Sequence, residues 1–375
     1  MSNMYAGLRR DLGNDATVIE RCSSRLMKMR KSLSDLRARR SDGNLLLATW
    51  NIRDFDSNKF GFGPRLPETF YYIAEIMASF DLIAVQEVNR DMSALERVIR
   101  ILGRQWDYLV TDSTKGPGGN QERMAFVYNK EKVWFRRVAG EVVLPDGQLI
   151  RPAEDVAKTA RPESKVAGQQ FARSPFLVAF QSGWFRFSLC TVHIYYGKDS
   201  GAELTRRIAE IEALVKFFAD RQDQVPQQEK DRSGNVENYI LLGDFNVVSP
   251  KHKTMEALTK HGFEVPKPID GDKLKNRDHY YDQIAVRVKD TRFEVGAGGI
   301  VNIFEDVFRD DPADIELYAE HMPKKDPEKG EFAATNQHDL YKKWRTWQMS
   351  DHSPLWIEIK TDFSDNYLRD LGKGG

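Results

Sequence analysis

The chain has 375 residues, of which 41% are hydrophobic and 30% charged, an ordinary globular composition that allows one large domain with insertions or two small ones. Its 56 basic residues balance 56 acidic ones, which excludes a global field that attracts polyanions, so any preference for nucleic acid requires a local basic surface. No run of about 18 apolar residues predicts a membrane span and no apolar leader is evident, which favours a cytoplasmic protein. Cys22 and Cys190 lie far apart in unlike contexts and predict no disulfide framework.

Residues 1–43 predict a basic amphipathic helix that extends from the main domain. Arginines and lysines fill the positions between apolar residues that recur every three or four places, namely Val18, Cys22, Leu26, Met29, Leu33 and Leu36. This pattern leaves three interpretations open. The helix packs on the main domain, mediates a homodimer, or serves as an arm that binds nucleic acid.

From residue 44 to residue 361 the sequence predicts one α/β domain. Short apolar segments predict buried strands, most of them ending in polar residues: "LLLATWNIRDF", "DLIAVQEV", "MAFVYN", "FLVAFQ", "FRFSLCTVHI", "YILLGDFNV", "YDQIAVRV" and "PLWIEIK". Helical spacing occurs between these segments, at about 68–79, 91–102 and 202–220.

Three other segments are predicted from their composition. Residues 145–170, rich in Pro, Gly and charge, predict a mobile loop, and residues 362–375 predict a flexible tail. A charged helical insertion is predicted at about 305–348 and ends in "YKKWRTWQ". That stretch fits either a helix with buried tryptophans or a surface that contacts phosphates and bases.

Polar side chains stand at the ends of nearly all the predicted strands. They are Asn51, Glu87, His193, Asp244 with Asn246, Asp282, and Asp351 with His352. A single Asp or Asn at such a place is ordinary, because these residues commonly open turns. Strands that lie side by side would bring the whole set to one edge of a sheet, and turn chemistry alone does not explain such a set.

Part of this set suits a hard metal ion. Glu87, Asn51 and Asp351 supply oxygen ligands, which favour Mg²⁺, Mn²⁺ or Ca²⁺ over zinc. Neither an HExxH helix nor a paired CxxC motif occurs in the sequence, so zinc is not expected. Asp244 and Asn246 are candidates to orient an attacking water or to bind phosphate oxygens.

The histidines suit proton transfer. His193 and His352 are candidates for general base and general acid, because imidazole titrates near neutral pH. Each needs a carboxylate partner to fix its tautomer, and Glu122 and Asp282 are the candidates. Acid–base groups beside a divalent metal, without a serine or cysteine nucleophile signature, predict metal-assisted hydrolysis of a phosphate ester.

These motifs, in this order, resemble the endonuclease/exonuclease/phosphatase superfamily and within it the DNase I-like branch. The matching segments are "TWNIRDF", "DLIAVQEV", "QERMAFVY", "FARSPFLVAF", "LCTVHIYYG", "LLGDFNVVSP", "YDQIAV" and "MSDHSPL". They spread from residue 49 to residue 355, so the resemblance covers the whole α/β domain. "GDFN" followed by "SDH" is the specific pair, while "NIRDF" and "YDQIAV" favour the DNase I side of the superfamily.

The resemblance implies a four-layer α/β/β/α sandwich of two mixed β-sheets with the site at one edge. Mg²⁺ or Mn²⁺ is the implied cofactor, with Ca²⁺ as a further candidate. The resemblance also implies roles at the matching positions. Glu87, Asn51 and Asp351 would bind the metal, and His193, paired with Glu122, and His352, paired with Asp282, would transfer protons. Asp244 and Asn246 would orient water and phosphate, and Arg173, Arg53 and Asn246 would bind the substrate.

Two positions depart from the DNase I pattern. Asn89 follows "QEV" where DNase I has an arginine, and Asn120 stands where DNase I has a tyrosine that packs in the minor groove. Both changes weaken any prediction of duplex preference.

Three hypotheses about function follow. The leading one is a metal-dependent phosphodiesterase that acts on nucleic acid, as a DNA endonuclease. A second keeps the site but changes the substrate to a phosphomonoester, or to a phospholipid or inositol-type phosphodiester. A third is a partner-binding module whose site is vestigial.

Overall fold

Two β-sheets and the helices that alternate with them carry the predicted site. The computed structural model describes residues 4–113, 122–151, 168–224, 238–271, 274, 279–330 and 337–373. The strands in these residues are β1 (Asn44–Phe55), β2 (Leu82–Val88), β3 (Trp106–Val110), β4 (Arg123–Asn129), β5 (Trp134–Glu141), β6 (Phe176–Ser182), β7 (Phe185–His193), β8 (Tyr239–Asp244), β9 (Asp282–Arg287), β10 (Val295–Ile300) and β11 (Leu355–Lys360).

The helices in the same residues flank the sheets. They are α1 (Leu8–Asp11), α2 (Ala16–Ser32), α3 (Ser34–Ala38), α4 (Pro67–Met77), α5 (Ser93–Leu102), α6 (Gly201–Gln224), α7 (Lys253–Leu258), α8 (Pro312–Tyr318), α9 (Gln337–Gln348) and α10 (Ser364–Lys373). Short 3₁₀ turns lie at Asp146–Gln148, Lys260–Gly262, Lys267–Ile269 and Ala319–His321. Among the described helices, none has both the length and the apolar character needed to cross a membrane.

The strand order makes both sheets mixed. One sheet runs β10-β11-β1-β2-β4-β3 and the other β5-β6-β7-β8-β9. β1 pairs with β2 in parallel and β7 with β8 in parallel, while the other neighbouring strands are antiparallel. Parallel neighbours need a long crossover. In the chain, α4 lies between β1 and β2, and α6 lies between β7 and β8.

Three apolar layers hold this arrangement together. Between the sheets, Leu47 and Phe126 of one sheet cluster with Phe180 and Leu189 of the other. The outer face of the first sheet packs against the N-terminal helices, α4 and α5, and the outer face of the second packs against α6. Because successive side chains of a strand point to opposite faces, strands covered on both faces have continuous apolar sequences. The predicted four-layer α/β/β/α sandwich of two mixed sheets is confirmed.

The N-terminal segment packs on the main domain through α2 and α3. Asp15 caps α2 by accepting hydrogen bonds from the backbone N–H groups of Thr17 and Val18. The predicted apolar face is buried at Cys22, Leu26, Met29, Leu33 and Leu36. The arginines beside it form ion pairs with buried acids, namely Arg21 with Glu68, Arg25 with Asp314, Arg37 with Glu75, and Arg40 with Asp81. These contacts correspond to the interpretation of a packed helix, whereas the homodimer and the domain boundary at residue 43 stay predictions.

Three of the strands were not predicted from the sequence. β3 has only five residues, and β5 lies at a sheet edge with most of its side chains exposed to solvent. β10 has the sequence "VGAGGI", in which glycines occupy positions where β-branched residues usually mark a strand. β3 is therefore too short, and β5 and β10 lack the apolar pattern on which the prediction depends.

The C-terminal region differs from its prediction. The predicted flexible tail, residues 362–375, contains α10, in which the backbone N–H of Ser364 donates to the Asp362 carboxylate at 2.9 Å. In the predicted insertion, Trp344 and Trp347 of α9 are fully buried, which supports the buried-tryptophan interpretation of "YKKWRTWQ". Two predictions lie partly or wholly outside the described residues, namely the mobile loop, over its residues 152–167, and the departure at Asn120.

Candidate active site

The strands that carry polar side chains meet at one edge of the sandwich. β7 and β8 run parallel and end in His193 and Asp244, which are register partners, and the antiparallel β9 begins opposite Asp244 with Asp282. In the other sheet, Asn51 lies near the end of β1 and Glu87 near the end of β2. β4 and β11 run antiparallel to these strands and start at the same edge, so residues just before them join the set.

A buried hydrogen-bond chain joins the two sheets close to this edge. Gln86 Nε2 on β2 donates to Thr49 Oγ1 on β1 at 3.1 Å and to Thr191 Oγ1 on β7 at 2.8 Å. All three side chains are fully buried. Leaving a buried donor or acceptor unpaired costs about 1–3 kcal/mol, so this chain of bonds favours one relative placement of the sheets.

His193 is backed by an ionised carboxylate. Its Nδ1 lies 3.2 Å from Glu122 Oε2, an ion-pair distance whose direction falls short of a good hydrogen bond. Glu122 also accepts from Arg173 Nε at 3.1 Å and lies 3.4 Å from Lys59 Nζ. Burial alone would raise the pKa of Glu122, but its contact with the His193 imidazole, followed by the charges of Arg173 and Lys59, outweighs burial and holds this pKa well below its usual range. Glu122 therefore stays negative and can orient the imidazole.

His352 has a closer carboxylate partner. Its Nδ1 lies 2.7 Å from Asp282 Oδ2, in hydrogen-bonding geometry. Burial alone would lower the pKa of His352, but Asp282, followed by Asp244 and Asp351, raises it well above the ordinary value. The Asp282 carboxylate therefore favours the protonated imidazole, whose Nε2 faces Asp244 and can donate a proton.

Ser350 ties the turn that carries His352 to β1. Its Oγ donates to the carbonyl of Asn51 at 2.7 Å and accepts from the backbone N–H groups of Arg53 at 3.2 Å and His352 at 3.0 Å. Trp50 Nε1 donates to the carbonyl of His352 at 2.9 Å. These contacts hold the His352 backbone next to Asn51, although the two residues are far apart in sequence.

The two imidazoles face a single carboxylate oxygen. Asp244 Oδ2 lies 3.7 Å from His193 Nε2 and 3.9 Å from His352 Nε2. Asn51 Nδ2 donates to the same oxygen at 3.0 Å and to Glu87 Oε1 at 3.1 Å. The structure therefore brings five of the predicted residues into one cluster, with Asp244 at its centre.

Residues around this cluster have strained backbone conformations. Asp54, Glu87 and Asn246 have φ values of 41°, 58° and 51°, which non-glycine residues rarely adopt. Local hydrogen bonds hold them there: Asp54 N–H donates to Glu87 Oε2 at 2.8 Å, and Asn246 donates through N–H to Asp244 Oδ1 at 2.9 Å and through Nδ2 to the carbonyl of Ile194 at 2.8 Å. Such conformations concentrate at functional sites, where they aim side chains that regular backbone would direct elsewhere.

The oxygens on the Glu87 side of the cluster fit a divalent cation. Asn51 Oδ1 is buried and accepts no hydrogen bond from the residues that the structure describes, whereas buried acceptors normally have a partner. Glu87 adds a carboxylate next to this amide. Within the described ranges, no group of three or more His, Cys, Asp or Glu side chains could hold a metal. Mg²⁺ is usually bound through one or two carboxylates and keeps several waters, so it does not require such a group.

Asp351 and Arg53, predicted as metal ligand and substrate contact, lie together at the rim. Arg53 Nε is 3.9 Å from Asp351 Oδ2, and the Asp351 side chain is 48% exposed. Arg53 also donates to Thr346 Oγ1 at 2.9 Å and lies over the ring of Phe60, 4.7 Å from its centroid. Arg173, in contrast, is buried beside the cluster and donates to Glu122. Asp351 is therefore more exposed to solvent than the other two predicted ligands.

Two residues near the cluster escape sequence reasoning. Lys59 follows β1 and brings a positive charge to the carboxylate that backs His193. Glu210 on α6 accepts from the backbone N–H groups of Ala172 at 3.0 Å and Tyr195 at 3.4 Å, so it braces two of the segments at this edge. No sequence signal marks either residue, because Lys59 lies in a loop and acidic residues on an amphipathic helix usually face solvent.

Comparison with known proteins yields similarities of fold. No protein-family model and no curated protein matches the sequence. A humanized D. rerio TDP2 structure is 13% identical, with 86% of this chain and 100% of that chain covered and a TM-score of 0.46. The human Nocturnin catalytic domain is 12% identical, covering 85% and 94% with a TM-score of 0.47. A Bacteroides thetaiotaomicron mannosyl-6-phosphatase is 16% identical, covering 84% and 99% with a TM-score of 0.44.

These likenesses concern the fold alone. The chain has a DNase I-like fold. Two mixed sheets packed face to face, with helices on both outer faces, are the architecture that the sequence motifs imply. The roles of the individual site residues stay predictions.

Proposed function

We propose that the protein is a divalent-metal-dependent phosphodiesterase that cleaves nucleic acid, acting on DNA as an endonuclease. One observation carries the proposal: both imidazole Nε2 atoms lie within 3.9 Å of Asp244 Oδ2. Each imidazole has a carboxylate at its Nδ1, Glu122 for His193 and Asp282 for His352. Paired acid–base groups around a third carboxylate suit the attack of water on a phosphate ester.

The proposed proton transfers follow from these contacts. Asp244 accepts a hydrogen bond from the attacking water and orients it towards phosphorus. Protonated His352, held by Asp282, donates its Nε2 proton as charge builds on the phosphate and its leaving oxygen. His193, oriented by Glu122, accepts the proton that the attacking water loses as its oxygen bonds to phosphorus. Arg173 and Asn246 help to place the phosphate oxygens.

The proposed metal lies on the Glu87 side. Glu87 and Asn51 would hold it, with Asp351 completing the set from the rim. When bound, such an ion polarises the phosphoryl oxygens and offsets their negative charge. An ion there also explains how a phosphate can approach the adjacent carboxylates of Glu87 and Asp244, whose shared partner, Asn51 Nδ2, is uncharged.

Local basic groups support nucleic acid as the substrate in a chain without net charge. Arg53 lies at the rim with its guanidinium over Phe60, and Lys59 Nζ lies 5.1 Å from the centroid of the same ring. Arg173 lies deeper, against Glu122. A strand whose scissile phosphate reaches Asp244 can place further phosphates near the two outer cations.

Plasmid nicking tests the proposal. Purified protein is incubated with supercoiled plasmid and Mg²⁺ or Mn²⁺, and relaxed circles are measured on a gel. We expect nicking by the wild type, its loss on chelation, and a fall of about 100-fold or more in Glu87→Gln and in His352→Gln. His261→Asn is the matched control, because His261 is exposed, has a φ of 56° that asparagine tolerates, and contacts Arg287 at the far end of β9.

The outcomes separate the hypotheses. Two outcomes contradict a nuclease that uses this site. Either the wild type nicks no plasmid with any metal tested, or Glu87→Gln and His352→Gln nick plasmid as fast as the wild type. Release of inorganic phosphate from small phosphomonoesters, with plasmid left intact, supports the phosphomonoesterase. Cleavage of lipid or inositol phosphodiesters, with plasmid left intact, supports a phospholipid or inositol-type phosphodiesterase.

A further inference from the structure

Aromatic rings lie exposed directly beside His352, and neither the core nor the proposed chemistry uses them. Tyr196 follows His193 by three residues, and its side chain is 58% exposed. Tyr281 immediately precedes Asp282 and is half-buried, and His279 lies two residues earlier and is exposed. We call Tyr196, Tyr281 and His279 the aromatic ledge.

The rings of the aromatic ledge form a continuous path that ends at the site. The imidazole of His279 is parallel to the ring of Tyr281, with 2° between their planes and 4.7 Å between centroids. Tyr196 packs edge-on against Tyr281 at 6.3 Å. The centroid of Tyr281 is 5.9 Å from that of His352. A ring placed on this surface therefore lies no farther from His352, the proposed proton donor, than the length of one nucleotide.

Backbone contacts hold the aromatic ledge in place. The carbonyl of Tyr281 accepts from the N–H of Phe245 at 2.9 Å, which joins it to the residue after Asp244. Next to Tyr196, the N–H of Tyr195 donates to buried Glu210. Because Tyr281 is anchored to the residue after Asp244, and the residue before Tyr196 to the helix α6, a ring bound there would be held close to Asp244.

The surroundings favour a planar aromatic ligand that carries a phosphate. The Arg207 guanidinium lies 5.6 Å from the centroid of Tyr196 and is paired with Asp199, so it rigidifies the ring without presenting a free charge. Aromatic side chains that face solvent beside a phosphate site are typical of proteins that stack unpaired bases. A base within a duplex is already stacked and paired, so it cannot lie flat on such a surface.

We propose that the aromatic ledge stacks an unpaired base next to the scissile phosphate, which makes single-stranded nucleic acid the preferred substrate class. This proposal rests on the proposed nuclease function and specifies its substrate.

A binding experiment tests the aromatic ledge without depending on hydrolysis. Deoxyadenosine 5′-monophosphate and the base-free 2-deoxyribose 5-phosphate are titrated into the wild type, Tyr196→Leu and Tyr196→Phe by calorimetry. We expect the wild type to bind the nucleotide about 10-fold more tightly than the sugar phosphate. Tyr196→Leu should lose this difference, and Tyr196→Phe, which keeps the ring, should retain it. Tyr367→Leu, an exposed tyrosine on α10, is the control for loss of a surface ring.

Hydrolysis provides the second measurement. The wild type should cleave a single-stranded oligonucleotide with a KM about 10-fold lower than the same strand in a duplex, and Tyr196→Leu should remove most of that preference. Equal affinity of the wild type for the nucleotide and the sugar phosphate overturns the proposal that the aromatic ledge stacks a base. A preference for single strands that is unchanged in Tyr196→Leu overturns it as well. If the base-dependent binding and its loss are observed but no strand is cleaved, the aromatic ledge stands and the nuclease function fails.

Discussion

At the scale of single residues, the contact between His352 and Asp282 gives the sharpest test of the proposed proton transfers. Asp282→Asn keeps the size of the side chain but removes the charge that keeps His352 protonated. We expect kcat for phosphodiester cleavage to fall about 100-fold or more with little change in KM. Steady-state kinetics on an oligonucleotide measures both constants.

The matched control is Asp290→Asn, because Asp290 forms an ion pair with Arg292 beyond the far end of β9. Its kcat should stay within about twofold of the wild type, since it touches no group in the proton transfers. A kcat in Asp282→Asn equal to that of the control would remove Asp282 from the mechanism.

Glu210 predicts a pH dependence of stability. Burial raises the pKa of its carboxyl to about 7, although hydrogen bonds from the backbone of Ala172 and Tyr195 lower it in part. In the unfolded chain the carboxyl has its ordinary pKa of 4.5, so the native state binds more protons between these two values. The free energy of unfolding should therefore fall as pH rises through that interval, by about 3 kcal/mol at most.

Urea unfolding at several pH values, from about 5 to about 8, measures this dependence. Glu210→Gln cannot ionise, and it keeps one acceptor oxygen for the backbone N–H of Ala172 while an NH2 group replaces the oxygen that faces Tyr195. This variant should lose this component of the slope. Glu212→Gln is the control, because Glu212 is a partly exposed neighbour on the same helix that pairs with Lys260. A slope in Glu210→Gln as steep as in the control would mean that Glu210 is ionised in the native state.

At the scale of elements, the parallel pair β7–β8 depends on a glycine just before Asp244. Gly243 has a φ of 134°, and a Cβ added there would lie 2.2 Å from the carbonyl oxygen of Val192. Gly243→Ala must therefore push β8 away from β7, next to His193. We expect a loss of more than about 2 kcal/mol in the free energy of unfolding, or insoluble protein.

Gly140→Ala is its matched control. Gly140 lies in the edge strand β5, and a Cβ there would meet no atom within 4 Å. This variant should unfold within about 0.5 kcal/mol of the wild type in the same urea titration. If Gly243→Ala were as stable as Gly140→Ala, the close approach of β8 to β7 at this point would be wrong.

Elements differ in how far their sequence reveals them. β1, β2 and β8 are covered on both faces, so their apolar runs predict them, and the polar residues that end them predict the site edge. β10 carries glycines where it packs against the Lys267–Ile269 turn and Trp356, and a Cβ at Gly298 would lie 2.7 Å from Ile269. Its identity as a strand therefore depends on a partner distant in sequence, and local pattern cannot indicate it.

The same limit applies within the site. His193, Asp244 and His352 end or precede strands, so their meeting follows from strand direction. Lys59 and Tyr196 lie in loops, and their positions depend on how those loops return across the edge. Sequence patterns describe the order of elements along the chain, but they do not contain the path of a loop in space.

At the scale of the whole molecule, the N-terminal segment neutralises acids that belong to the main domain. Glu68, Glu75 and Asp81 are fully buried and pair with Arg21, Arg37 and Arg40. Asp81 keeps a second partner, Lys132 Nζ at 2.8 Å, whereas the described cation partners of Glu68 and Glu75 come from the N-terminal segment. Deleting residues 1–40 should therefore lower the free energy of unfolding by at least about 3 kcal/mol.

A second truncated chain separates charge from lost apolar contact. The same deletion combined with Glu68→Gln and Glu75→Gln removes the two unpaired charges, so it should recover part of the lost stability in a thermal melt. Equal melting temperatures for the two truncated chains would mean that apolar packing alone accounts for the loss. A deletion as stable as the full chain would contradict the packed position of α2.

The tie between Ser350 and β1 has a consequence for biosynthesis. A ribosome makes Glu87, His193 and Asp244 well before it reaches the turn that bears His352. Trp50 Nε1 can donate to the carbonyl of His352 only after nearly the whole α/β domain has been translated. Until that turn has been made, the other site residues lack the imidazole that the proposed mechanism uses as its proton donor. The strand order therefore makes the proposed site complete only once the segment that leads into β11 has been translated.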